Sequence, residues 1–338
     1  MHRSHTEAAR PDAAEFESST EPFRRELLAH CYRLLGSLDD AEDLVQETYL
    51  RAWRYYGGFE GRSSVRVWLY RIATNACLRA LKNRDRRPLP SGLGGPDEEA
   101  DGRAVAADAG SAWLQPIPDA LVTGGSDDPA DVVAARAGLR LALIASLQYL
   151  PPKQRAVLIL RDVLAFRAAE VAQLLDTTTT AVKSALQRAR ARLEEVVPVA
   201  DQVTEPTDAQ ARALLGQYVA AFENADPEAL RQLLRRDATL ELPPSPAWFA
   251  GPRAAEHAVA GLGAPGDWQM VETAANGQPA AAVYRRGPDG RYHGYGVVVL
   301  TVTVTGISRI TVFADPGLLK WFGLAAVRPA APPFAGAR

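Results

Sequence analysis

Only two cysteines, Cys31 and Cys77, occur in 338 residues, too few for a disulfide framework or a cysteine-rich metal site. Both fall inside helical patterns, so buried thiols are expected. No apolar run approaches the roughly 20 residues that a membrane-spanning helix needs. The first 20 residues carry His, Arg, Asp and Glu but no apolar stretch of the kind a secretory signal requires. A disordered lead-in, cytoplasmic residence and no membrane partner are the expectations. A basic excess is also missing: 38 Lys and Arg against 40 Asp and Glu give a net charge of −2. That excludes a surface that attracts phosphate everywhere, but it leaves room for local basic patches.

Such patches are present. Arg79, Lys82, Arg84, Arg86 and Arg87 form one basic cluster, and Lys183, Arg188, Arg190 and Arg192 form a second. Two separated clusters predict two separated DNA contacts. Hydrophobic content of 47% supports ordinary cores, and Pro/Gly/Ala-rich interruptions divide the chain. The reading is a disordered N-terminus over 1–15, a helical domain over 16–88, a flexible linker over 89–130 and a second helical domain over 131–197. A short linker follows over 198–207, then an α+β domain over 208–325 and a tail over 326–338. The linker is too poor in large apolar residues to fold alone, and structureless segments of that length are usually functional.

In the second helical domain, Val171, Leu174 and Leu175 line one face of a short helix. Asp176-Thr177-Thr178 supplies turn and cap residues before another. Val182, Leu186, Ala189 and Leu193 then form a single apolar stripe. The opposite arc holds Thr180, Lys183, Ser184, Gln187 and Arg188, donors suited to base edges and phosphates in a major groove. A solvated helix face would look similar.

In the first domain, Asp39-Asp40 can cap a helix running to about Tyr55. Its core stripe is Ala41, Val45, Thr48, Tyr49 and Ala52. Asp43, Gln46, Glu47, Leu50 and Arg54 lie on the far side, where a leucine among carboxylates suits a partner helix. Downstream of Gly57-Gly58-Phe59-Glu60-Gly61, a helix from about Ser63 carries Arg66, Trp68, Tyr70, Arg71, Asn75 and Arg79 around an apolar stripe. Cations interleaved with aromatics are what single-stranded DNA asks for, although Trp68 and Tyr70 could equally be core.

The run from His30 to Thr48 through Trp53, then Phe59 to Ser64 and Val67 to Cys77, resembles region 2 of extracytoplasmic-function (ECF) sigma factors. Leu150 to Asp162, Ala169 to Asp176 and Val182 to Arg190 resemble region 4. The resemblance implies a multi-domain protein with two all-α sigma domains, a region 2 bundle and a region 4 helix-turn-helix. It would bind core RNA polymerase and promoter DNA and initiate transcription. Asp43, Gln46, Glu47 and Leu50 would grip the coiled coil of the largest polymerase subunit. Arg62, Ser64, Trp68, Arg71, Asn75 and Arg79 would melt the −10 element, and Thr180, Lys183, Ser184, Gln187 and Arg188 would read the −35 element.

Residues from about Asp208 to Ala325 resemble a SnoaL-like cone-shaped α+β domain, through Ala238 to Gly251, Ala275 to Ala280 and Ile310 to Pro316. The linker's Ala112 to Asp119 looks like the motif that accompanies such an appendage. The resemblance implies that this domain stands in for a separate anti-sigma protein, with Trp113, Asn276, Gly277 and Pro279 as regulatory residues. A small ligand or an intramolecular contact at its pocket is also implied. Glu241, His257, His293, Tyr295 and Asp315 are ionisable or hydrogen-bonding residues of that domain, but isolated groups in a sheet are more often structural. No catalysis, cofactor or metal is expected. The alternative is a stand-alone helix-turn-helix transcription factor with a ligand-sensing C-terminal domain, which would bind its operator tightly without polymerase.

Overall fold

A computed structural model describes residues 13–59, 61, 63–83, 86–97, 112–122, 137–196 and 207–329. They fall into two compact units, one drawn from residues up to 87 and from 121 to 199, the other from 88–120 and from 200 onward.

The first unit is helical. Its N-terminal part comprises α1 (Ala13–Thr20), α2 (Arg24–Leu35), α3 (Leu38–Tyr55) and α4 (Val65–Ala80). Every residue of α2 from Leu27 to Leu35 is buried, which makes it the central helix against which α3 and α4 pack their apolar stripes. Leu38, Ala41, Val45 and Ala52 of α3 meet it, as do Leu69, Tyr70, Ala73 and Cys77 of α4. The α3 cap is Ser37, not Asp39 or Asp40: its extended backbone lets its side chain accept from the Asp40 amide at 3.2 Å. The two aspartates occupy the first turn, where the helix dipole favours negative charge. Tyr70 is core, as one reading of the sequence allowed.

The same unit continues with α5 (Leu141–Leu147), α6 (Pro152–Leu158), which runs on into a π-helical turn at Ile159–Val163, α7 (Ala168–Leu174) and α8 (Thr179–Val196). Pro152 starts α6 where a missing amide costs nothing. Two arginines tie these helices to α2. Arg33 Nε donates to the Gly138 carbonyl at 2.9 Å. Arg155 is buried and donates to the carbonyls of Leu34, Gln148 and Leu150 and to the Gln148 side chain. Burial lowers the Arg155 guanidinium to about 10, so it stays charged at neutral pH and relies on those carbonyls for solvation.

The second unit holds α9 (Asp208–Glu223), α10 (Pro227–Leu233) and α11 (Pro252–Ala260) with seven strands: β1 (Leu234–Glu241), β2 (Trp248–Ala250), β3 (Trp268–Ala275), β4 (Gln278–Arg286), β5 (Tyr292–Thr303), β6 (Gly306–Phe313) and β7 (Val327–Arg328). The sheet order is β2-β1-β6-β5-β4-β3, with β7 on the start of β5. All pairs are antiparallel except β1 and β6. Leu215, Tyr218 and Leu230 of the helices pack on Leu240, Met270, Val298 and Ile310 of one sheet face. The β3–β4 turn is Asn276-Gly277 with φ of 57° and 66°, the left-handed pair that a two-residue hairpin loop demands.

Parts of the segment expected as a linker are packed in this unit. The Asp97 amide donates to Trp248 of β2 at 2.8 Å, and the Trp248 indole donates to Gly94 at 3.0 Å. Leu89, Leu114 and Ile117 are buried. Composition predicted a tether because these few apolar residues cannot make a core alone. They can be buried once another domain offers the surface.

Candidate nucleic-acid interface

The α3 face predicted to meet a partner is turned outward: Asp43 and Gln46 are exposed and Leu50 is 61% exposed. Glu47 is half-buried and pairs with Arg51 one helical turn on. Their spacing of three, one and three residues puts all four on one side of the helix. Among the large hydrophobic side chains of the described residues, only Tyr55 is more exposed than Leu50.

On α4, Ser64 is the N-cap, accepting from the Val67 amide at 3.3 Å, and Trp68, Arg71, Asn75 and Arg79 follow at helical spacing. Arg71 and Arg79 are exposed, and Trp68 and Asn75 half-buried. Trp68 is backed by Phe59 at 4.9 Å and Tyr56 at 6.3 Å between ring centroids. Sequence reading missed this aromatic cluster, although Tyr56 and Phe59 flank the glycine turn that brings them together. Arg62 lies outside the described residues.

The basic residues sort into two kinds. Arg66 makes a bidentate pair with Glu26 at 2.9 to 3.0 Å and lies over the rings of Tyr70 and Phe166. Arg87 pairs with Asp40 at 2.7 Å, and Arg86 lies 4.3 Å from the Tyr149 ring. Arg190 makes a bidentate pair with Asp162 at 2.7 and 2.9 Å. The two basic clusters are therefore thinner than their sequences suggest, because several guanidinium groups are held by carboxylates and aromatic rings of the protein itself. Arg84 is outside the described residues, while Arg79 and Lys82 remain exposed.

Helices α7 and α8 form the expected helix-turn-helix. Val171, Leu174, Val182 and Ala189 are buried. Asp176 takes φ of 50° in the turn, and Thr178 caps α8 by accepting from the Ala181 amide at 3.2 Å. Thr180, Lys183, Gln187 and Arg188 are exposed and Ser184 half-buried along the outward arc. The helix-turn-helix also touches α4: Ser63, Val67, Trp68 and Arg71 line a cleft of about 360 Å³ with Gln173, Leu174 and Asp176. Tyr70 packs on Phe166 at 5.0 Å nearby.

In the second unit the Asn276-Gly277 turn grips the linker. Asn276 is fully buried, its amide donating to the Ile117 carbonyl at 2.9 Å and its side-chain oxygen accepting from the Ile117 amide at 3.0 Å. Gly277 donates to the Asp119 carboxylate at 2.8 Å, and Pro118 bridges to Ala275 as an added strand position. Trp113 is half-buried in the same linker segment, and Pro279 sits half-buried in β4 opposite Ala274.

The ionisable residues of this unit do not converge. His257 and Tyr295 border one cavity. Glu241 lies between the cavity-lining Leu240 and Leu242, so the strand turns it to the other face, where it is buried 3.3 Å from Arg309. His293 pairs with Asp289 at 3.0 Å on the surface, and Asp315 caps a 3₁₀ turn by accepting from Gly317. Among the described residues no group of His, Cys, Asp or Glu could hold a metal ion, and no helix is long and apolar enough to cross a membrane.

Residues 20–87 match the family described as Sigma-70 region 2, and residues 140–193 match Sigma-70, region 4. The ECF RNA polymerase sigma factor SigG of Mycobacterium tuberculosis is 48% identical over 314 residues, covering 92% of this chain and 84% of that one. SigJ of the same organism is 29% identical over 228 residues, covering 66% of this chain and 63% of that one. The crystal structure of SigJ superposes with a TM-score of 0.57 at 25% identity, covering 93% of this chain and all of that one. The likeness thus runs through both helical parts and into the C-terminal helix-and-sheet domain, the SnoaL-like part. The chain belongs to the ECF RNA polymerase sigma factors of the sigma-70 family.

Proposed function

We propose that this sigma factor carries its own restraint: the C-terminal domain holds the linker, and with it the DNA-reading helices, in a resting arrangement that core polymerase and promoter must open. Asp43, Gln46, Glu47 and Leu50 dock on the coiled coil of the largest polymerase subunit. Ser64, Trp68, Arg71, Asn75 and Arg79, with Arg62, take the −10 strand. Thr180, Lys183, Ser184, Gln187 and Arg188 read the −35 duplex. An apolar knob ringed by carboxylates supports the first assignment, the aromatic backing of Trp68 beside free cations the second, and the exposed polar arc of α8 the third.

The restraint rests on one observation, the clasp of Ala275, Asn276 and Gly277 on Ile117, Pro118 and Asp119 of the linker. Distance supports a closed resting state. Elements centred at −10 and −35 are about 25 base pairs apart, roughly 85 Å along B-DNA at 3.4 Å per step. Trp68 and Arg71 share a single cleft with Gln173 and Asp176. Helices that close together cannot occupy both elements, so the two helical modules must separate, and a linker clasped by a folded domain opposes that.

Run-off transcription with core polymerase tests the proposal. Truncations ending at Val197 and at Thr207 and the Asn276→Gly variant are each expected to give more transcript than the full chain. Equal or lower output from all three rejects built-in restraint. Retention of the full chain by core enzyme, lost in Asp43→Ala/Glu47→Ala, tests the docking face separately.

A further inference from the structure

The second unit contains a cavity of about 200 Å³ that neither DNA reading nor polymerase docking uses. Its wall is built from α9, α11 and one face of the sheet: Leu240, Met270, Val283, Val298 and Ile310 from the strands, with Phe222 and Ala258 from the helices. No Asp, Glu, Lys or Arg lines it. A charged molecule placed there would lose its hydration and meet no permanently charged side chain, which disfavours carboxylates, phosphates and ammonium compounds as occupants.

Four polar side chains reach the wall, and their hydrogen bonds define what an occupant must offer. The Trp268 indole is already used, donating to the Gly261 carbonyl at 3.0 Å. His257 Nδ1 lies 3.1 Å from the Arg253 carbonyl. A carbonyl can only accept, so Nδ1 carries a proton, which leaves Nε2 as the ring nitrogen that can accept. The ring is fixed by stacking on Phe249, with centroids 3.5 Å apart. Tyr295 meets Trp268 edge to face at 5.2 Å, and Tyr218 packs on Phe222 at 4.8 Å. Neither tyrosine hydroxyl has a hydrogen-bond partner among the described residues. Burial holds the Tyr218 phenol well above its ordinary range, so it is a donor and not an anion.

We infer that this cavity is a binding site for an uncharged, flat aromatic molecule of about two fused rings bearing one hydroxyl group. Between liquid and crystalline packing densities, 200 Å³ accommodates roughly 110–150 Å³ of atoms, the bulk of a bicyclic aromatic. A hydroxyl can donate to His257 Nε2 and accept from a tyrosine, using both kinds of group on the wall. The rings fill the apolar remainder against Met270, Val283 and Val298. His257, Trp268 and Tyr295 are half-exposed, which places the entrance on their side.

Isothermal titration calorimetry of the full chain with 2-naphthol, naphthalene and 2-naphthoate tests the assignment. 2-Naphthol is expected to bind with one site and a Kd of about 1–100 μM, the range that roughly ten heavy atoms reach in a preformed pocket. Naphthalene should bind about tenfold more weakly, and naphthoate at least a hundredfold more weakly. Ala258→Phe, which fills the cavity, should abolish binding. His257→Leu and Tyr295→Phe, which keep its volume, should weaken 2-naphthol to the level of naphthalene while leaving naphthalene unchanged. The inference fails if neither neutral ligand binds at millimolar concentration, if naphthoate binds as well as naphthol, or if binding survives both Ala258→Phe and the polar replacements. Because the readout is binding alone, its failure leaves the restraint of transcription standing, and the reverse also holds.

Discussion

Replacing Asn276 by glycine isolates the side-chain half of the linker clasp. Glycine accepts the φ of 57° at this position without strain and keeps the amide that donates to Ile117. What it removes is the carbonyl oxygen that accepts from the Ile117 amide at 3.0 Å in a fully buried setting. Leaving a buried amide without its acceptor costs about 1–3 kcal/mol, which multiplies the opened population of the linker segment by roughly 5 to 150. Hydrogen exchange followed by mass spectrometry on peptides covering 112–120 should therefore speed up by that factor in Asn276→Gly. Peptides from α2 and β5 should be unchanged, because they share no hydrogen bond with the clasp. Restoring Asn276 and changing Asp119→Ala removes the neighbouring bond to Gly277 and should produce a smaller increase, since the Gly277 amide is only half-buried. If 112–120 exchanges at the same rate in Asn276→Gly as in the unaltered chain, the hairpin does not hold the linker in solution.

Leu50→Ala removes an exposed apolar knob, so it should weaken retention by core polymerase about tenfold and leave the thermal midpoint unchanged; equal retention would remove Leu50 from the docking face. Lys183→Ala with Arg188→Ala should leave polymerase binding intact, abolish −35-dependent initiation and lower the slope of log K against log salt by about 2. An unchanged slope would mean that neither side chain meets phosphate. His30 is buried against Thr74, 2.8 Å away, and burial, followed by the charges of Arg33 and Arg66, lowers it to about 3. The unfolded chain protonates this residue near its ordinary 6.5 while the native one does not. Stability is full above pH 6.5, then falls as the pH drops toward 3, by about 2 kcal/mol at pH 5. Urea unfolding at pH 7 and pH 5 should show that loss in the unaltered chain relative to His30→Leu, and identical pH slopes would refute it.

The periodic residues of this sequence determined a good deal on their own. Apolar spacing in α3, α4 and α8 fixes which side of each helix packs, because burial selects a stripe whatever the partner is. The outward positions of Asp43, Gln46, Leu50, Lys183, Gln187 and Arg188 follow from that. Asn276-Gly277 carries the local signal of a hairpin turn, since few others accept left-handed backbone twice in succession, although only the family resemblance singled the pair out. Tertiary structure decided which of the polar residues are free to act. Arg66 and Arg87 are claimed by carboxylates 40 and 47 residues away, and Asn276 by a linker amide 159 residues away. No local pattern encodes partners at that separation. The same holds for the cavity: His257, Tyr218 and Tyr295 come from two helices and a strand, and only the packing of those helices on the sheet makes them neighbours, while strand alternation turns Glu241 to the opposite face.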